Sequence, residues 1–281
     1  MFLRKIQKGL IRLVVLALVA YAGIVIYVLA TEDQQVFPAH YQRSLDTIPA
    51  LPPGFKRGNL LTADGVKLVA HETTNSVEPK AQRWCIFFAG QWGRVRWDLP
   101  KIALLRELGC QMLVFDYRGY GESAGIPSEA GFYRDADAAY RYLTESKQVP
   151  PSKILLVAHS LGTGVAIDLA NRRPVGGLIL DGAYESIPAM AADRYPWLPV
   201  RWLAHNRFAS GEKVSHISAP KLFLHAEFDG NIPIQQGRAV FARATGPKKF
   251  VALEGRHEDF QWSDPDRFKQ AVSEFITQLP P

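Results

Sequence analysis

Cysteine is scarce, with only Cys85 and Cys110 in 281 residues, which excludes a disulfide-stapled scaffold and any cysteine-rich zinc site. The HExxH pattern is absent, so no metal ligand set is legible and no cofactor is expected. Internal repeats and low-complexity tracts are missing as well. Acidic residues are absent from the first thirty positions, which hold Arg4, Lys5, Lys8 and Arg12. Apart from those four cations, 29 basic residues face 27 acidic ones. The +6 net charge is therefore mostly an N-terminal property, and the body lacks the basic excess that nucleic-acid binding would need. Neither glycine-rich stretch reads as a dinucleotide site. After Gly119, Gly121 and Ala124, Pro127 intervenes where a helix should begin, and behind Gly162 and Gly164 the third small position is Ile167.

What is present is an ordinary globular composition, 47% hydrophobic and 21% charged. From Leu13 to Ala30 the chain is free of charge, and at about 1.5 Å per residue such a helix reaches some 27 Å, near the thickness of a hydrocarbon core. Residues 1–30 are accordingly expected to be a membrane anchor, with Tyr27 near an interface. A cleaved signal peptide is the competing reading, although the apolar stretch exceeds the usual length of about 7 to 15 residues. The basic residues precede the span and Glu32 and Asp33 follow it. The N-terminus is thus expected in the cytoplasm and the body on the exported side. Residues 31–56, punctuated by Pro38, Pro49, Pro52 and Pro53, read as a connector, and residues 57–281 as one folded domain.

Within that domain, two strand-like runs flank Asp64 and Gly65 as a hairpin. Short runs that are apolar at nearly every position then alternate with amphipathic helices: RWCIFF, MLVFDY, KILLVAH, GLILD, KLFLHA and KKFVAL are the runs. Helices are expected around Pro100, over 128–146 behind a Ser128 cap, after Ser160, from Pro233, and from Asp264 and Pro265. The pattern specifies a mostly parallel, doubly wound α/β sheet with helices on both faces. One connection, about 185–219, breaks the alternation and reads as a small helical cap containing Tyr195, Trp197, Trp202 and Phe208.

The pentapeptide AHSLG at 158–162 follows a strand and opens a helix, the context of a nucleophile elbow, with Ala158 in place of the usual first glycine. The small residues around Ser160 permit the sharp turn that exposes its hydroxyl. A weakly nucleophilic serine needs a base and an orienting acid, in the order Ser, acid, His. Asp229 and His257 end the last two strands and lie at the carboxyl edge, where Ser160 also emerges. Asp181, after the preceding strand, is the rival acid. His40, His71, His159, His205, His216 and His225 read as packed or surface residues. Backbone donors for an oxyanion are expected at Leu161 and at Gln91, in the turn after RWCIFFAG. Trp92, Trp197 and Trp202 are the candidate substrate-binding residues, with core packing as the alternative for the cap aromatics.

From Asn59 to Leu279 the chain resembles the α/β-hydrolase superfamily, through FFAGQWG, FDYRGYGES, AHSLG, LILDGAYES, RYPWLPVRWL, LFLHAEFDGNIP and GRHED in that order. It is most similar to small-cap, membrane-tethered serine hydrolases, a branch with depalmitoylating thioesterases and serine aminopeptidase-like enzymes. The resemblance implies a triad of Ser160, Asp229 and His257 and cleavage of carboxylic esters or thioesters, with a small-molecule or lipid-like acyl substrate. Two departures bear on substrate choice: Ala89 precedes Gly90 where the family commonly has histidine, and Trp92, Arg94, Arg96 and Trp97 replace small polar residues. Peptide-bond cleavage by the same residues, and a non-catalytic membrane-bound module, remain open alternatives. The resemblance also sets Cys85 and Cys110 on neighbouring strands, where either a bridge or two buried thiols would fit.

Overall fold

The computed structural model describes residues 2–41, 51, 53–74, 83–93, 95–257 and 263–280. Helix α1 (Phe2–Ala30) buries none of its residues and is long and apolar enough to cross a membrane. Thr31 separates it from two short helices, α2 (Glu32–Val36) and α3 (Pro38–Tyr41). The expected connector therefore begins as helix, and Phe37 leads it into the core, fully buried 5.1 Å from the Phe132 ring and 6.3 Å from that of Phe208. Residues 42–50 of that connector lie outside the described residues.

Among the described residues eight strands form one sheet: β1 (Phe55–Leu61), β2 (Lys67–Thr73), β3 (Arg83–Phe88), β4 (Cys110–Phe115), β5 (Ile154–His159), β6 (Gly177–Asp181), β7 (Lys221–Ala226) and β8 (Lys248–Leu253), in the order β1-β2-β4-β3-β5-β6-β7-β8. The β1–β2 hairpin is antiparallel, β2 meets β4 antiparallel, and all remaining pairs are parallel. Its turn has Gly65 at φ +79, a conformation that glycine adopts freely, and Thr62 Oγ1 accepts from the Val66 N–H at 2.9 Å. Every residue of β4, β5, β6 and β7 is buried. This is why their sequences show no polar alternation: helices cover both faces.

Those helices include α4 (Val95–Glu107), α5 (Glu129–Arg141) and α6 (Leu161–Arg172). Helix α4 starts ahead of Pro100, which lies inside it. Ser128 caps α5, its Oγ accepting from the Gly131 N–H at 3.1 Å, and beyond Arg141 the helix widens into a π turn over Tyr142–Ser146. The cap region contains α7 (Ile187–Arg194), α8 (Val200–Leu203) and α9 (Ser210–Lys213). Helices α10 (Ile234–Arg243) and α11 (Pro265–Gln278) complete the frame. Cys85 and Cys110 are free, buried thiols. Burial and the neighbouring Cys110 push the Cys85 pKa up.

Strand order reverses at β3: the chain steps from β3 outward to β4 and then crosses back to β5. The loops leaving β3 and β5 consequently diverge and open a crevice at the carboxyl edge, which is where open α/β sheets bind ligands.

Candidate active site

Ser160 stands between β5 and α6 at φ +51, ψ −122, a strained conformation for a residue with a side chain. Close packing holds it. A Cβ on Gly162 would fall 2.3 Å from the Phe88 carbonyl oxygen, and one on Gly90 would fall 3.3 Å from the Ser160 Cβ. The Ser160 N–H donates to the Asp181 carbonyl at 2.8 Å. Its own carbonyl accepts from the Thr163 N–H at 2.9 Å and from Thr163 Oγ1 at 2.7 Å.

Three side chains from separate loops meet at that turn. His257 Nε2 lies 2.9 Å from Ser160 Oγ, and His257 Nδ1 lies 2.6 Å from Asp229 Oδ2. A carboxylate only accepts, so Nδ1 carries the proton and Nε2 presents a lone pair to the serine hydroxyl. Asp229 is held from behind, its Oδ1 accepting from the Asn231 N–H at 2.9 Å and the Ile232 N–H at 2.7 Å. His225 donates from Nε2 to the Ile232 carbonyl at 2.8 Å and so braces the same loop. Burial lowers the His225 pKa, keeping it neutral beside the acid.

The rival acid is occupied elsewhere. Asp181 accepts from Lys101 Nζ and from His159 Nδ1 at 2.8 Å, while Lys101 also donates to Asp98 at 3.0 Å. All four groups are buried. Burial alone would raise the Asp181 carboxyl; the Lys101 ammonium and the His159 imidazole outweigh it and hold the pKa well below the usual carboxylate range. For His159, burial and Lys101 push downward, but Asp181 and Asp98 prevail and the pKa is raised. The His159 and His257 rings are 5.0 Å apart, so a second charged cluster adjoins the first without sharing its acid. No sequence signal pointed to Lys101 and Asp98; only the folding of α4 over β5 and β6 joins them to His159.

Leu161 is the first residue of α6, where N–H groups have no intrahelical acceptor. Gln91 sits in the turn after β3, its carbonyl accepting from Tyr120 Oη at 2.7 Å. A cavity of about 790 Å³ opens over Ser160 and His257, with Gly90, Gln91, Trp92, Leu161 and Ile232 around its floor. Ile187, Met190 and Tyr195 line it from the cap, and Val28, Leu29, Gln35 and Val36 line another flank. Trp197 and Trp202, expected at the substrate, do not line this cavity. They are 54% and 79% exposed; the Trp197 ring faces Tyr21 of α1 at 6.3 Å, and Trp202 lies on α8. The cap aromatic at the cavity is Tyr195, and of the three tryptophans Trp92 alone reaches it.

The alpha/beta hydrolase family model matches residues 85–270. The chain belongs to the alpha/beta hydrolase family. It is 36% identical over 175 residues to an uncharacterized protein of Mycobacterium tuberculosis (strain ATCC 25618 / H37Rv), covering 62% of each chain. It is 37% identical over 175 residues to the lysophosphatidylserine lipase ABHD12 of Danio rerio, a match that covers 56% of this chain and 44% of the lipase. Among solved structures, the esterase Pf2001 of Pyrococcus furiosus superposes with a TM-score of 0.67 at 18% identity, over 80% of this chain and 92% of that one. An esterase domain from a Rhodothermus marinus protein gives 0.62 at 20% identity, over 80% and 98%. These superpositions establish the hydrolase fold, with esterases among its neighbours.

Proposed function

We propose that the protein is a membrane-anchored serine hydrolase that cleaves carboxylic esters or thioesters through an acyl-enzyme. The observation that carries this reading is the chain of hydrogen bonds from Ser160 Oγ through His257 to Asp229 at the floor of the cavity. Ser160 attacks the acyl carbon as His257 Nε2 takes its proton. Asp229 keeps the imidazole in the Nδ1–H tautomer and stabilises the imidazolium that forms. The oxyanion is received by the N–H groups of Leu161, at the open start of α6, and of Gln91, in the turn after β3. His257 then delivers the proton to the leaving group, and water, activated by the same base, releases the acid.

Ester chemistry is favoured over aminopeptidase chemistry by the acids in the cavity wall. Glu32 accepts from the Asn206 N–H at 2.7 Å, Asp98 from Lys101 at 3.0 Å, and Asp193 from Gln236 Nε2 at 2.6 Å. An ammonium group there would share each carboxylate with a partner it already has. The lipase activity in the name of the ABHD12 relative points the same way. Anchoring is assigned to α1, with the four cations before its apolar stretch keeping the N-terminus cytoplasmic and the catalytic body on the other side; protease protection of sealed membranes reads that orientation.

The deciding experiment is labelling by a fluorophosphonate, which requires an activated serine. Wild type is expected to form an adduct at Ser160, and Ser160→Ala to lose turnover by about 10⁶-fold. A folded wild-type protein that takes no label would instead identify a non-catalytic module.

A further inference from the structure

The flank of the cavity formed by Val28 and Leu29 belongs to α1, the segment that composition alone marks as an anchor. It meets the body at several separate points. Tyr21 Oη donates to the Trp197 carbonyl at 2.9 Å; Val25, Val28 and Leu29 are half-buried; Glu32 is buried. Positions 21, 25, 28 and 29 form one stripe of α1, which faces the cap, and Glu32 opens α2 just beyond it. From Leu13 to Ala20, by contrast, every residue is exposed.

Beyond the stripe the chain is clamped. Glu32 accepts from the backbone N–H groups of His205 at 3.1 Å and Asn206 at 2.7 Å, and Asp33 accepts from Asn206 Nδ2 at 2.9 Å. Phe37 is then locked into the core. The helix is therefore held against the body at Tyr21, at Glu32 and at Phe37. Tyr21 lies nine residues before the helix end, about 14 Å along the axis. Over that length the cap stands beside apolar helix rather than beyond it, and the exposed Trp197, Trp202 and Leu203 lie on the cap that flanks it.

We infer that α1 is part of the substrate site: Val28 and Leu29 form the wall along which the acyl chain of a long-chain ester or thioester lies, so the anchor sets chain-length preference. This rests on Ser160 being the nucleophile. An acyl group attached at Ser160 meets Gly90, Gln91 and Trp92 on the side of the turn after β3. The apolar room within the cavity lies between the cap residues Ile187, Met190 and Val200 and the α1 wall. A volume near 790 Å³ is within the roughly 300–1,000 Å³ range of small-molecule sites and exceeds what a short acyl group fills. Each methylene buried against that wall should raise kcat/KM about fourfold until the space is filled.

The test uses the full chain in detergent micelles with p-nitrophenyl butanoate and p-nitrophenyl dodecanoate, read as the ratio of their kcat/KM values. Leu29→Trp, which fills the wall, is expected to lower the dodecanoate-to-butanoate ratio at least tenfold. Leu16→Trp, on the exposed part of the same helix, should leave the ratio as in wild type. Leu29→Ala, which removes volume, provides a second reading if the tryptophan variant is not recovered folded. It should shift preference toward longer chains, read with p-nitrophenyl palmitate. An unmoved ratio in a folded, fluorophosphonate-reactive Leu29 variant overturns the inference and leaves the hydrolase reading intact. Failure of wild type to label overturns the hydrolase reading itself, and the inference with it.

Discussion

Two carboxylates at strand ends, Asp181 and Asp229, are chemically alike and both lie within the reach of a histidine at the same edge of the sheet. Register separates them. Asp181 ends β6, opposite His159, and joins the Lys101 cluster; Asp229 sits in the loop beyond β7, facing His257. Replacing Asp229 by asparagine leaves the shape intact but allows the wrong imidazole tautomer, and kcat should fall by about 10⁴. Asp181→Asn is expected to keep fluorophosphonate labelling while lowering thermal stability, since it leaves the buried Lys101 ammonium with one carboxylate instead of two. A loss of labelling in Asp181→Asn equal to that in Asp229→Asn would make the His159 cluster part of the catalytic unit. Strand order already favoured Asp229 over Asp181 as the partner of His257, and the loop beyond β7 is what brings the two within 2.6 Å.

Turn and helix ends carried the most legible information. The small residues of AHSLG forecast a sharp strand-to-helix turn, and Gly162 meets the backbone of Phe88 so closely that alanine there must push strand β3 aside. Gly162→Ala should sharply reduce the soluble yield, measured beside Gly230→Ala, where nothing lies within 4 Å of the added carbon. The segment after α1 was harder to read. Prolines and the lack of a period suggested a plain connector, yet Glu32 is buried and accepts backbone N–H groups from the far side of the cap. Removing that acceptor by Glu32→Ala leaves buried donors unpaired, at about 1–3 kcal/mol. A fall of several degrees in Tm is expected, checked by differential scanning fluorimetry.

At the scale of the whole molecule, buried ionisable groups set how stability varies with pH. Burial, with the nearby Glu122 carboxylate adding to it, raises the Asp116 pKa to about 7. Between the ordinary carboxylate pKa and about 7, the folded state keeps a proton that the unfolded chain has released. Stability from this group is thus greatest in acid and declines as pH rises through that window. His159 acts in the same direction. Its raised pKa stabilises the fold below the ordinary imidazole value, and that contribution disappears as pH rises through the folded-state value. Asp181 has the opposite sign, since its depressed pKa favours the fold above the ordinary carboxylate value and is lost only in stronger acid. Asp116→Asn should make the change in Tm from pH 5 to pH 8 less negative than in wild type; an equal change in the variant would overturn the assignment to Asp116.

By itself the sequence determined what depends on neighbours along the chain: an apolar stretch preceded by cations, strands apolar at nearly every position, a turn at Ser160 bounded by small residues, and the order in which candidate groups reach one edge. These properties follow from backbone sterics and solvation over a few residues, so periodicity and small-residue placement reveal them. The tertiary structure decided which groups touch. Ser160 and His257 are 97 positions apart, Lys101 and Asp181 are 80, and their meeting depends on strand register and helix packing. The same cause moved Trp197 and Trp202 away from the cavity and brought Val28 and Leu29 to it. Hydrophobicity records that a side chain leaves water without recording whether its new neighbour is lipid, core or substrate.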